Sequence, residues 1–306
     1  MQLKRSLALA TAAAVLLVAC GDDDPESGAA DAAGTDAAAD APQAIVSLSA
    51  AATEMLYAVG AGDQVVAVDE QSDYPEGVPV TDLSGYEPNV EAIATYEPDL
   101  VVANDLPEDV TAGLEALDVE VLNISAAVTL DDTYAQLAEL GVATGHEDEA
   151  ADLVAQMRRD IEGLAASVPE REVAPTYYHE LDDTLYSVTS DTFIGEIYSL
   201  AGLENVADAA DPDGELGGYP QLSPEFLVDA DPDFVFLADG ECCGQDATTF
   251  AARPGFADMS AVRDGRVIVV DEDVASRWGP RVVDFLRTII EATAGVEVAA
   301  PAEAPA

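Results

Sequence analysis

The chain has 306 residues, 49% of them apolar, with 61 acids against 11 lysines and arginines and a formal net charge of −50. That length accommodates two α/β domains of ordinary size, each with its own core, while the charge excludes nucleic-acid binding through phosphate neutralisation and repels an anionic membrane surface. Self-repulsion on this scale is costly until salt near 1 M shortens the Debye length to about 3 Å, which points to a salt-rich habitat.

Residues 1–20 read as a secretory signal: Lys4 and Arg5, an apolar run over 7–18, then Leu17-Val18-Ala19-Cys20. The run is too short to stay in a membrane as a helix. A small residue before Cys20 resembles a bacterial lipobox, in which Cys20 is lipidated and anchors the protein outside the cytoplasm. The other reading is an ordinary signal with an incidental cysteine. All 61 acids follow Cys20, and the only lysine is Lys4. Residues 21–42 are mostly Asp, Ala, Gly and Pro and read as a disordered acidic tether; the tail, 296–306, reads likewise. Between them the pattern divides into an N-terminal lobe (43–145), an interlobe helix (146–168) and a C-terminal lobe (169–295).

Residues 44–48 form an apolar strand, and Ser49 can cap a helix carrying Met55, Leu56 and Val59 on one face. Strands at 65–68, 100–103 and 119–122 alternate with helices starting at Asn89 and spanning 108–117, which implies a parallel, helix-covered sheet. Thr129 and Asp132 suit a near capping box for a helix over 129–143. Residues 147–167 repeat Ala150, Leu153, Val154, Met157, Ile161 and Leu164 at helical spacing, long enough to bridge two lobes or to serve as a plain amphipathic helix of one. The pattern then restarts. Strands at 175–179, 234–237 and 266–270 alternate with helices at 191–201, from Ser223-Pro224-Glu225, and at 279–294. The expected fold is α/β: two Rossmann-like lobes with parallel sheets joined by one long backbone helix.

One phrase occurs twice. Tyr86, Asn89-Val90-Glu91 and Pro98-Asp99 before an apolar strand are echoed by Tyr219, Ser223-Pro224-Glu225 and Pro232-Asp233. Each half thus offers an aromatic and a helix-start glutamate, either as a matched pair of docking points or as acids that merely favour a helix N-terminus.

Enzyme signatures are mostly missing. Gly60-Ala61-Gly62 follows a helix, whereas a dinucleotide fingerprint follows a strand. Two histidines, His146 and His179, exclude a metal site built on several imidazoles. Asp208, Asp211, Asp213 and Glu215 have a calcium-like rhythm, or make an acidic turn. Cys242 and Cys243 are either a vicinal disulfide or two packing thiols, or else functional. Ligands of open α/β sheets sit beyond the carboxyl ends of the strands. The candidate ligand-binding residues there are Ser49, Tyr74, Tyr86, Asn104, His179, Tyr186, Tyr219, Arg277 and Trp278. Thr53, Asp69, Glu180 and Cys243 fall in the same region. Aromatics and small polar groups with few cations suit a large, flat, largely apolar ligand with amide or hydroxyl edges, and suit a polyanion badly. His179 reads either as a ligand to iron or cobalt or as a hydrogen-bonding residue. The tyrosines read as ligand contacts or as interlobe packing.

Residues 45–63, Tyr219 to Glu225 and Ser276-Arg277-Trp278-Gly279-Pro280-Arg281 together resemble substrate-binding proteins of iron-complex and vitamin B12 ABC importers. Tyrosines stand where the B12-binding members carry tryptophans, and one residue is missing between Tyr86 and Glu91. The resemblance covers roughly 43–295. It implies a class III periplasmic-binding-protein fold and capture of a cobalt- or iron-containing chelate, with no resident cofactor and no catalysis. It also implies docking of Glu91 and Glu225 on the permease of an ABC importer with a cytoplasmic ATPase, by a protein acting as a monomer. Few cations favour a corrinoid or a neutral ferric siderophore over an anionic catecholate. Haem, a secreted α/β enzyme using His179, and a sensor ectodomain are the other readings.

Overall fold

The structure is a computed structural model that describes residues 41–295. The signal, Cys20, nearly all of the tether and the tail lie outside the described residues. No helix among the described residues is long and apolar enough to cross a membrane.

The first lobe is a four-stranded parallel sheet of β1 (Ile45–Leu48), β2 (Val65–Val68), β3 (Leu100–Ala103) and β4 (Glu120–Asn123), in the order β2-β1-β3-β4. β1 and β3 are buried along their whole length, as a sheet covered on both faces requires. Its helices are α1 (Ala50–Ala58), α2 (Val90–Ala94), α3 (Glu108–Glu115) and α4 (Leu130–Thr144). Thr129 caps α4 in a reciprocal box with Asp132. α5 (Glu147–Ser167) follows directly, with Glu147, Asp148 and Glu149 at its positive end.

The second lobe repeats the plan. β5 (Thr176–Glu180), β6 (Glu204–Asn205), β7 (Phe234–Leu237) and β8 (Val267–Val269) pair in the order β6-β5-β7-β8, all parallel. Its helices are α6 (Phe193–Leu200), α7 (Pro224–Ala230), α8 (Gly240–Cys243), α9 (Ala247–Ala251), α10 (Ser260–Arg263), α11 (Glu272–Ser276) and α12 (Val282–Thr293). The two-residue β6 and the short helices from α8 to α11 are absent from the sequence reading. They are too brief for either period to show. The last helix begins at Val282 rather than Gly279, because α11 ends at Ser276 and a Gly279-Pro280 turn intervenes.

One apolar cluster runs through both lobes. It takes Ile45 and Val102 from the first sheet, Tyr177 and Phe236 from the second, and Leu137, Met157, Ile161 and Leu286 from helices between and around them. α5 packs on α4 and α12 and contributes Met157 and Ile161 to this shared core. The outer faces of the sheets carry their own clusters, around Val101 and Leu114 in one lobe and Val235 and Phe250 in the other.

Candidate functional site

The carboxyl ends of β1 and β3 open on a cavity of about 470 Å³. Ser49, which caps α1 through the Ala52 N–H, and Asn104, one residue past β3, form its floor side. Asp69, Gln71, Gly85 and Tyr86 come from the long segment after β2, and Asp273, Ser276, Arg277 and Trp278 from α11 and the turn behind it. Gly85 is required by a close approach: a Cβ there would lie 2.4 Å from the Leu48 carbonyl oxygen and 3.1 Å from Asp69 Oδ2. Tyr86 stands at the rim with 86% of its surface exposed.

Five of the sequence-derived candidates therefore share one cavity: Ser49, Tyr86, Asn104, Arg277 and Trp278. The other four lie elsewhere. Tyr74 does not line the cavity; its ring is covered by the Arg281 guanidinium, 4.2 Å from the centroid. Tyr186 and Tyr219 sit on second-lobe loops, 41% and 47% exposed, and do not line the cavity. His179 is fully buried in the core, its Nδ1 2.9 Å from the Tyr198 hydroxyl and its Nε2 without a partner among the described residues. Burial pulls its pKa down to about 3. A neutral, sealed imidazole has no access to a ligand or substrate, which corrects the reading of His179 as a mouth residue and removes the support for an enzyme built on it. Residues alternate along a strand, and His179 falls with Tyr177 on the face that meets α6.

Arg277 lines the cavity but is already committed. Its Nη1 reaches Glu54 Oε1 at 3.1 Å and Asp73 at 2.8 Å, and its Nη2 reaches Asp273 at 2.7 Å and the Gln71 carbonyl at 3.1 Å. Burial works to lower its pKa, but the bonds to Asp73 and Glu54 outweigh that and raise it. Glu54, from α1, is 1% exposed and also accepts from Arg281 Nε at 2.9 Å. This triad joins the first lobe to the segment before α12, and the sequence reading missed it because its partners are more than 220 positions apart. Two further bonds cross nearby. The Trp278 indole N–H donates to Gln136 Oε1 at 3.0 Å, and the Thr133 hydroxyl donates to the Trp278 carbonyl at 3.0 Å. Asp69, 2% exposed, accepts from the Ser72 hydroxyl through Oδ1 at 2.5 Å. Burial raises its pKa, and the Ser72 bond opposes that rise.

A second polar cluster lies at the ends of β5 and β7. Buried Glu180 receives both Arg253 Nη atoms, at 2.7 and 2.6 Å, and the Tyr178 hydroxyl at 3.1 Å. Beside it, Asp239 is wholly buried, with neither carboxyl oxygen bonded within the described residues. Burial first, and the Glu180 charge next, push its pKa up to about 7. Cys242 and Cys243 form a vicinal disulfide on exposed α8. The acidic run is a turn: Asp208 accepts from the Ser190 N–H and hydroxyl, and Asp211 from the Leu216 and Gly218 N–H groups. No group of three or more His, Cys, Asp or Glu among the described residues is placed to hold a metal.

Glu91 and Glu225 occupy the same position, second in their helices, behind the capping side chains of Asn89 and Ser223, and both are exposed. All nine arginines of residues 41–295 have their head groups bonded. Besides Arg253, Arg277 and Arg281, Arg158 meets Asp131, Arg159 Gln156, Arg171 the Thr293 carbonyl, Arg263 Ser260, Arg266 Asp264, and Arg287 Asp284.

Two matched parallel sheets around a cleft, bridged by a long helix, define a two-lobed ligand-binding protein. Residues 45–274 match the periplasmic binding protein family, and the chain belongs to it. It is 32% identical over 255 residues to a cobalamin-binding protein of Halobacterium salinarum, covering 79% of this chain and 67% of that one. An uncharacterized ABC transporter substrate-binding lipoprotein of Bacillus subtilis is 29% identical over 259 residues, covering 82% of this chain and 79% of its own. The crystal structure of the periplasmic vitamin B12 binding protein of Vibrio cholerae superposes with a TM-score of 0.65 at 26% identity, covering 82% of this chain and 96% of that chain.

Proposed function

We propose that this protein is the substrate-binding component of an ABC importer, anchored outside the cell membrane through lipidated Cys20, and that it carries a corrinoid or a ferric siderophore to its permease. The observation that carries this reading is the cleft of about 470 Å³, walled by the strand ends of one lobe and by the 273–278 segment of the other. Its volume lies in the range of small-molecule sites. Tyr86 at the rim and Trp278 in the wall suit the flat face of a macrocycle or chelate. The similarity to a cobalamin-binding protein favours the corrinoid. The metal arrives as cargo inside its chelate, and the protein acts as a monomeric carrier, not a catalyst. Glu91 and Glu225, exposed at equivalent helix starts, are the permease contacts.

The test is a titration of residues 21–306 with cyanocobalamin in molar salt, read through the fluorescence of Trp278, the single tryptophan. Saturable quenching at one equivalent is the expected result. Unchanged fluorescence with no heat of binding would refute the corrinoid assignment and leave ferric hydroxamates to be titrated in the same way.

A further inference from the structure

Resting on the carrier reading above, the geometry points to Asp69 as a charge gate: the cleft accepts chelates whose edges are uncharged carboxamides and rejects the same chelates once an edge becomes a carboxylate. Among Asp, Glu, Lys, Arg and His side chains, three line the cavity: Asp69, Asp273 and Arg277. Both Nη atoms of Arg277 are already engaged, Nη1 by Glu54 and Asp73 and Nη2 by Asp273 and the Gln71 carbonyl, so its charge is largely matched before a ligand arrives. It is a structural cation that neutralises the acids around it.

Asp69 is different. Its Oδ1 takes the Ser72 hydroxyl, and its Oδ2 has no donor among the described residues. The Ser72 hydroxyl, whose proton goes to Asp69, lies 2.9 Å from the Thr53 hydroxyl, which can donate to it, so the carboxylate is tethered from behind by buried hydroxyls. Gly85 leaves room in front of Oδ2, because a Cβ there would lie 3.1 Å from it. An unpaired acceptor oxygen therefore lines the cavity, and the cation nearest to it, Arg277, is shared with Glu54, Asp73 and Asp273. A ligand amide N–H satisfies such an oxygen. A ligand carboxylate meets a like charge where little water can screen it. Asn104 completes the match. It lines the same cavity, and its buried Nδ2 has no acceptor among the described residues, which leaves it a donor for an amide carbonyl. A donor and an acceptor on one wall match a carboxamide, which carries both groups. Selectivity of this kind comes from what the site refuses as much as from what it holds.

The experiment compares cyanocobalamin with its three singly hydrolysed propionamide isomers, each a monocarboxylate on the same corrin, by calorimetry at pH 8. At least one isomer should bind about tenfold more weakly or worse. The gap should persist between 0.2 and 2 M salt, since screening removes the long-range field of the acidic chain and not a contact inside the cleft. In Asp69→Asn the gap should shrink to about twofold. Equal binding of all isomers, a gap that vanishes in salt, or a gap untouched by the substitution would each overturn the gate. The wild-type salt series decides the matter even if the variant fails to fold. If cyanocobalamin does not bind, N-acetylferrioxamine B, which is neutral, and its N-succinyl counterpart, which ends in a carboxylate, form the same comparison. Failure of both neutral chelates would overturn the carrier reading itself, whereas equal binding of chelate and acid would overturn the gate alone.

Discussion

Replacing Glu54 with alanine removes the shared acceptor of Arg277 and Arg281. The Glu54 side chain is 1% exposed, and the two arginines are 11% and 16% exposed, so the substitution strands two guanidinium groups where water barely reaches. Breaking a buried pair by deleting one partner costs about 3–5 kcal/mol, because the remaining charge is uncompensated. Arg277 keeps Asp73 and Asp273, so the lower end, about 3 kcal/mol, is the better expectation. For a domain of this size each kcal/mol is worth roughly 2–4 °C, which gives a fall in Tm of about 10 °C. The assay is calorimetry or urea unfolding in 2 M salt, with Asp131→Ala as the control. Its pair with Arg158 is 80% and 50% exposed and should be worth less than about 1 kcal/mol. A loss below 1 kcal/mol in Glu54→Ala, or equal losses in both variants, would refute the reasoning that the triad is a buried clamp between the lobes.

Asp239 gives a pH signature. Its folded pKa of about 7 lies above the usual carboxylate value, so the folded state holds a proton that the unfolded chain has released. Its contribution to stability is therefore unimpaired below pH 4, declines as pH rises toward 7, and reaches its full penalty above that. The neighbouring groups, Glu180, Arg253 and Tyr178, are bonded to one another. Asp239→Asn should flatten the urea midpoint between pH 5 and 8 and exceed wild type at pH 8; an unchanged slope would contradict this. Glu91→Ala with Glu225→Ala should lower chelate uptake by whole cells while leaving the calorimetric affinity alone, and normal uptake by the double variant would remove the docking role. With 61 acids and so few cations, Tm should climb steadily from dilute buffer to molar salt, and a flat profile would show that self-repulsion is not limiting.

The two sheets and their helices were legible because each buried strand is a short apolar run and each long helix repeats at 3.6 residues. Ile45–Leu48, Leu100–Ala103 and Phe234–Leu237 are examples. Capping residues marked starts to within a residue, as at Thr129 and Ser223. The site was only half legible. Placement at the end of a strand brought Ser49 and Asn104 to the cavity, but the same rule placed His179 at the mouth. What decides that case is Tyr198, from a helix 19 residues later, which occupies the face His179 points to. Arg277 belonged to the cavity, but its engagement depends on Glu54, 223 positions away. Pairings over such distances leave no periodic trace, so sequence can place a residue near a site without revealing whether its charge is already spoken for.

The way every arginine head group among the described residues is tied down has a practical side. No lysine follows Lys4, so a chain processed and N-acylated at Cys20, as proposed above, offers no primary amine. Amine-coupled surfaces and amine-directed crosslinkers would pass it by, and carboxyl activation is the route to labelling it. In a chain processed at Cys20, trypsin finds its first site at Arg158, itself held by Asp131, so residues 20–158 leave as one fragment. Peptide mapping with trypsin would see the whole first lobe as a single, very acidic piece, and a protease that cuts at acidic residues would resolve it far better.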